Sequence, residues 1–138
     1  MKSKIFIVLL IALSLGCTKK HSEVIDCPAQ PCTMEFRSIT VQFKDKSGGV
    51  LEVKNYSAIN KRTKESMVPA NQKGINEAGF YTIVDDGLLR KLSSEGDEIT
   101  VSATHPSTGQ TKVTNYKISG GCNCHVNRVS GPEVVTFN

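Results

Sequence analysis

The residues best equipped for chemistry in this chain of 138 residues are its cysteines. Near the C-terminus, Gly120-Gly-Cys-Asn-Cys-His-Val126 sets two thiols one residue apart with an imidazole directly after them. Near the N-terminus, Cys27-Pro-Ala-Gln-Pro-Cys32 supplies two more. Four thiols and an imidazole could ligate zinc or copper(I), so Cys27, Cys32, Cys122, Cys124 and His125 form one candidate ligand set. Structural zinc sites usually separate paired cysteines by two to four residues in both halves; here the separations are four and one. Haem attachment needs C-x-x-C-H, and this stretch is one residue short. Thiol redox catalysis favours C-x-x-C at a helix N-terminus, and no helical pattern follows. Disulfide formation remains, and it depends on where the chain resides.

The N-terminus bears on that. Lys2 and Lys4 precede an apolar-rich stretch from Ile5 to Leu15, well short of the roughly twenty residues that span a bilayer but suited to the hydrophobic region of a secretory signal. It ends Leu13-Ser-Leu-Gly-Cys17. That ending resembles the lipobox of bacterial lipoproteins, with Gly16 before the cut and Cys17 as the lipid-bearing first residue. It departs from the family pattern at Ser14, where leucine is commoner. The resemblance implies a signal peptide over 1–16, a tether over 17–33, and the membrane as a partner through lipid on Cys17. Thr18, rather than Asp, after the cysteine implies outer-membrane sorting, facing periplasm or cell surface. Lys19 and Lys20 either attract anionic headgroups, at about 1 kcal/mol each, or are solvated tether.

With Cys17 assigned to lipid, the five cysteines become four, an even number in an exported chain of modest size, which points to disulfides. If Cys122 to Val129 is a strand, Cys122 and Cys124 share one face about 6.6 Å apart, too far for the Cβ separation of about 3.8 Å that a bridge requires. His125 then lies on the reverse face and is dispensable for any bridge. The expected partners are Cys27 and Cys32, on a proline-interrupted segment unsuited to a strand. Such bridges close a loop of about 90 residues, worth about 4 to 5 kcal/mol in the chain-entropy model. Local pairing of Cys27 with Cys32 is the rival.

The elements that must position these residues read as short strands. Arg37 to Lys44 alternates, with Ile39, Val41 and Phe43 toward a core, and Asp45 to Gly49 turns the chain into a second strand over Val50 to Ile59, as a hairpin. Asn60 to Ala78 is a long connection with a short strand at Ser66 to Pro69. Strands follow at Gly79 to Val84, Glu98 to Thr104 (Ile99, Val101 and Ala103 inward), Gln110 to Ile118, Cys122 to Val129 and Val134 to Phe137. Leu88 to Leu92 makes one helical turn. The fold class is all-β: a single antiparallel β-sandwich of about seven strands over 34–138.

The Asp45-x-x-Gly48 turn, Gly79-Phe-Tyr-Thr-Ile-Val84 and Gly96-Asp-Glu-Ile-Thr-Val-Ser-Ala103 resemble immunoglobulin-like and transthyretin-like (carboxypeptidase-regulatory-like) sandwich domains of exported bacterial proteins, over Arg37 to Ile118. The two cysteine-bearing ends resemble small lipoproteins of the Gram-negative envelope, a likeness that brings no catalytic residues with it.

Other candidates are weaker. Ser119-Gly-Gly121 and Ser130-Gly-Pro132 echo fragments of a serine-protease motif but lack its preceding aspartate. His21 and His105 read as exposed bystanders. Asp85, Asp86, Glu95, Asp97 and Glu98 could approach calcium, yet without a D-x-D-x-D-G loop they read as a solvated acidic face. The net charge of +4 falls to +2 once Lys2 and Lys4 are removed, and the basic residues form no stripe with interleaved aromatics, so nucleic acid is not an expected partner. The expectation is a lipid-anchored envelope module, structural or binding, that is not an enzyme, carries no cofactor and serves an envelope protein partner. A metal-binding lipoprotein using the thiols and His125 is the alternative.

Overall fold

The structure, a computed structural model, describes residues 26–70 and 79–138. The stretch read as a signal peptide, Cys17, Lys19, Lys20, His21 and part of the long connection lie outside the described residues. Seven strands form two sheets: β1 (Ser38–Lys44), β2 (Lys54–Asn60), β3 (Phe80–Asp85), β4 (Asp97–Thr104), β5 (Thr111–Ser119), β6 (Asn127–Ser130) and β7 (Val134–Thr136). One sheet has the order β3-β1-β7 and the other β2-β4-β5-β6. A 3-10 helix, Asp86–Lys91, follows β3 directly. The expected all-β class, seven strands and single helical turn are what the structure contains.

Alternation of side chains explains the burial. In β1, Val41 and Phe43 are buried while Ser38, Thr40 and Gln42 are not; in β4, Ile99, Val101 and Ala103 are buried, as the period of two requires. Ile39 is half-buried and packs against the core rather than entering it, because the β1–β3 register shifts between Ile39 and Thr40. Phe43 meets Tyr81 edge to face at 5.4 Å and lies 6.1 Å from Phe137.

Three strand expectations are corrected. Val50 to Ile59 does not form a hairpin with β1. Asp45 closes the turn by accepting N–H bonds from Ser47 (2.8 Å) and Gly49 (2.9 Å), but pairing ends after the single bridge between Lys44 and Val50. β1 is central in its sheet, with both edges taken by β3 and β7. The chain therefore crosses over, and β2 pairs with β4. Second, β1 and β7 run parallel, with Phe43 opposite Val135, so the sandwich is not wholly antiparallel. A parallel neighbour cannot come from a tight turn, and here it is the last strand that returns beside the first. Third, the strand expected over Cys122 to Val129 begins only at Asn127; the cysteines lie in the turn before it.

Phe43→Ala should destabilise the protein by about 3 to 5 kcal/mol, and Gln42→Ala should stay within about 0.5 kcal/mol of wild type, read from chemical denaturation. Equal losses would contradict the observed faces of β1.

Candidate functional site

The four cysteines meet beside the 3-10 helix. Cys27 bonds Cys122, with Cα atoms 5.2 Å apart, and Cys32 bonds Cys124, with Cα atoms 5.4 Å apart. The two bridges span 95 and 92 residues of sequence and fasten the segment ahead of β1 to the turn ahead of β6. Local pairing of Cys27 with Cys32 is not what the structure contains.

The glycines of Gly120-Gly-Cys-Asn-Cys-His-Val126 explain how that turn forms. Gly120 donates its N–H to Ser93 O (3.0 Å) and Gly121 to Leu89 O (2.8 Å). A Cβ on Gly120 would stand 2.8 Å from both Leu89 O and Leu92 Cβ, so only a bare backbone packs this close to the helix end. Gly121 adds a φ of +61°, which glycine adopts without strain. Next, Cys122 N–H donates to Ser94 Oγ (2.9 Å) and the Asn123 amide to Ser94 O (3.0 Å). The cysteines thus project from a turn locked onto Leu89–Ser94, and their directions follow that turn rather than a strand face.

His125 is not on a dispensable reverse face. Its side chain is 11% exposed, its Nδ1 lies 2.7 Å from Asp86 Oδ2, and its Nε2 lies 2.9 Å from Thr33 Oγ1. Asp86 gathers the surrounding chain: its carboxylate accepts N–H bonds from Arg37 and Val126, each at 2.8 Å, while its own N–H donates to Arg37 O (3.0 Å). Burial opposes ionisation of Asp86, but the bonds from Arg37, His125 and Val126 outweigh it and hold the carboxyl below its ordinary range.

Of the other acids, Glu95 and Glu98 are exposed as expected, whereas Asp85 and Asp97 are not part of a solvated face. Asp97 is buried and receives Arg62 through Nε and Nη2, each at 2.7 Å, together with Asn60 Nδ2 (2.8 Å) and Ser93 N–H (3.2 Å). Burial again opposes ionisation, and these donors, Arg62 foremost, depress the carboxyl all the same. Asp85 is buried and caps the 3-10 helix through Gly87 N–H (2.9 Å). Glu98 pairs with Lys61 at 2.9 Å on the surface. Among the described residues no three His, Cys, Asp or Glu side chains are grouped to hold a metal ion. His105 accepts N–H bonds from Ser107 and Thr108 through Nδ1, organising its own turn.

Thr33 was invisible as a candidate, although a signal existed. Once Cys32 pairs with Cys124, the next residues on each side, Thr33 and His125, become neighbours. The order hydroxyl, imidazole, carboxylate is the one that activates a nucleophile in hydrolases. A cleft of about 350 Å³ adjoins it, lined by both disulfides with Leu89, Arg90 and Asn123, but neither Thr33 nor His125 lines it. Thr33 and His125 close a polar clasp around Asp86. No protein-family model, curated protein or solved structure matches this chain. The site therefore stands on its own geometry, a small two-sheet β protein whose ends are stapled together.

Either bridge alone closes the long loop, after which the second closes only the small ring through residues 27–32 and 122–124. In the chain-entropy model, losing one pair of cysteines to serine should cost about 2 to 3 kcal/mol and losing both about 7 kcal/mol, a non-additivity that urea denaturation would resolve; strict additivity would contradict the shared loop. Asp86→Asn should cost about 2 kcal/mol at neutral pH. Because Asp86 and Asp97 titrate lower folded than unfolded, their stabilisation is complete above the unfolded value of about 3.9 and is lost as pH falls through the folded values. Asp86→Asn should flatten that acid limb, and His125→Ala should lower stability near pH 7.

Proposed function

We propose that this chain is a lipid-anchored protein of the bacterial cell envelope whose domain, immunoglobulin-like or transthyretin-like in kind, is a non-catalytic structural or binding module. The observation that carries the reading is the pair of long-range disulfides. Such bonds form and persist in oxidising, extracytoplasmic compartments, and they account for every cysteine except Cys17, which ends the apolar leader at Gly16-Cys17. With lipid on that residue, the two or three acyl chains give durable retention where one would not. Outer-membrane placement follows from Thr18 in the sorting position. An envelope protein is the expected partner.

Replacing Cys17 with Ser should leave the precursor uncut or release the domain into the soluble fraction, read by detergent partition and intact mass. A correctly trimmed Cys17→Ser protein that stays with the membrane would contradict the anchor. Hydrolysis of p-nitrophenyl acetate should be unchanged in Thr33→Ala; a rate that falls to background with that substitution would make the Thr33–His125–Asp86 relay a catalytic one.

A further inference from the structure

The segment from Cys32 to Arg37 is fixed at both ends. At one end Cys32 is bonded to Cys124 and Thr33 to His125. At the other, Arg37 exchanges two backbone bonds with Asp86: its N–H donates to the carboxylate and its C=O accepts the Asp86 N–H. Asp86 also holds His125, so one aspartate ties both ends of this bridge. On it stand Met34, fully exposed, and Phe36, 67% exposed. Large apolar side chains held in water on a covalently stapled segment contribute nothing to the core they stand outside.

Their place in the chain suggests the occupant. Eight residues lie between Cys17 and Asp26, where the described chain begins, and a fully extended chain over that span reaches at most about 30 Å. A lipid on Cys17 would keep the stapled end of the domain within that distance of the bilayer, an effective concentration in the millimolar range. Arg90, with its guanidinium against Cys27 and no ion pair among the described residues, stands where the tether meets the domain, placed for a lipid phosphate. Glu35 is already occupied by Arg37 at 3.0 Å, which offsets the one acid carried between Met34 and Phe36.

We infer that Met34 and Phe36 form a membrane-docking edge, inserting into the interfacial layer of the bilayer that carries the anchor and setting the domain at a fixed tilt instead of letting it swing. The inference rests on the lipid anchor proposed above. Two apolar side chains hold a free domain poorly, whereas tethering turns the same contact into an intramolecular one. Preorganisation by the staple means no loop has to be ordered when it forms.

The chain contains no tryptophan, so Phe36→Trp and Met34→Trp each create a single reporter. The lipidated full chain, with its Cys17 acylation verified by mass, is reconstituted in phosphatidylethanolamine–phosphatidylglycerol vesicles with and without brominated acyl chains. Both reporters should emit to the blue of the detergent-free soluble Cys17→Ser form and be quenched by bromine, whereas Val113→Trp, an exposed position on β5, should do neither. Verified lipid with all three reporters equally unquenched would overturn the docking edge and leave the anchor intact. Absence of lipid on Cys17 would remove both together. A blue shift already present in the soluble form, with a doubled hydrodynamic mass, would assign the edge to a second copy of the chain.

Discussion

Everything near the candidate site depends on two covalent bonds that join opposite ends of the described chain. Chain ends more than ninety residues apart meet at a large entropic penalty, and here they must meet twice: at the staple and where β7 lies parallel beside β1. A parallel pair between first and last strands has no local turn to nucleate it, so it forms only when the chain between has been organised. The disulfides remove much of that penalty from the unfolded state. They therefore support the sheet that closes the sandwich as well as the segment they touch.

The polar groups complete what the sulfurs begin. A body of about a hundred residues buries a limited apolar surface, and this one sets ionised carboxylates at its margins, each used as a multiple acceptor. Asp97 ties β4 to the end of β2 through Asn60 and to the connection after it through Arg62. Asp86 ties the chain before β1 to the turn before β6 through Arg37, His125 and Val126. A carboxylate at such a junction stabilises because its donors come from separate stretches of chain; removing it leaves buried N–H groups without partners, which costs more than the bond was worth. Thr33, His125 and Asp86 stand in the order of a nucleophile relay, and the same contacts fasten three separate stretches of chain.

The strands were legible where one face alone is apolar. Val41 and Phe43, and Ile99, Val101 and Ala103, stand out because water on the other face demands polar residues between them. Cysteine counting found that the four thiols pair, since an oxidising compartment leaves few of them free, but by itself it left long-range and local pairing open. The crossing at Val50 to Val53 was not legible, because an alternating stretch after a good turn looks the same whether it folds back or passes to the other sheet. What decides is that both edges of β1 are already taken by strands much later in the sequence. His125 and Asp86 were misread through a local argument: the strand face of Cys122-Asn-Cys124 was inferred from spacing, while Gly120 and Gly121 pack against Leu89–Ser94 and turn the chain before the strand begins. An acid such as Asp86 reads as surface until the donors that surround it are known, and those donors, Arg37, His125 and Val126, lie 39 to 49 residues away.

The segment ahead of β1 and the turn ahead of β6 form one fastened unit, with Asp86 at its centre and the disulfides enforcing it. Hydrogen exchange at single amides tests this most directly. The N–H groups of Arg37 and Val126, both bonded to Asp86, should be protected in the oxidised protein and should lose protection together on mild reduction, while amides in the centre of β4, such as Val101, remain slow. If Arg37 and Val126 exchange freely with both disulfides intact, or keep their protection after reduction, the staple does not hold the site together.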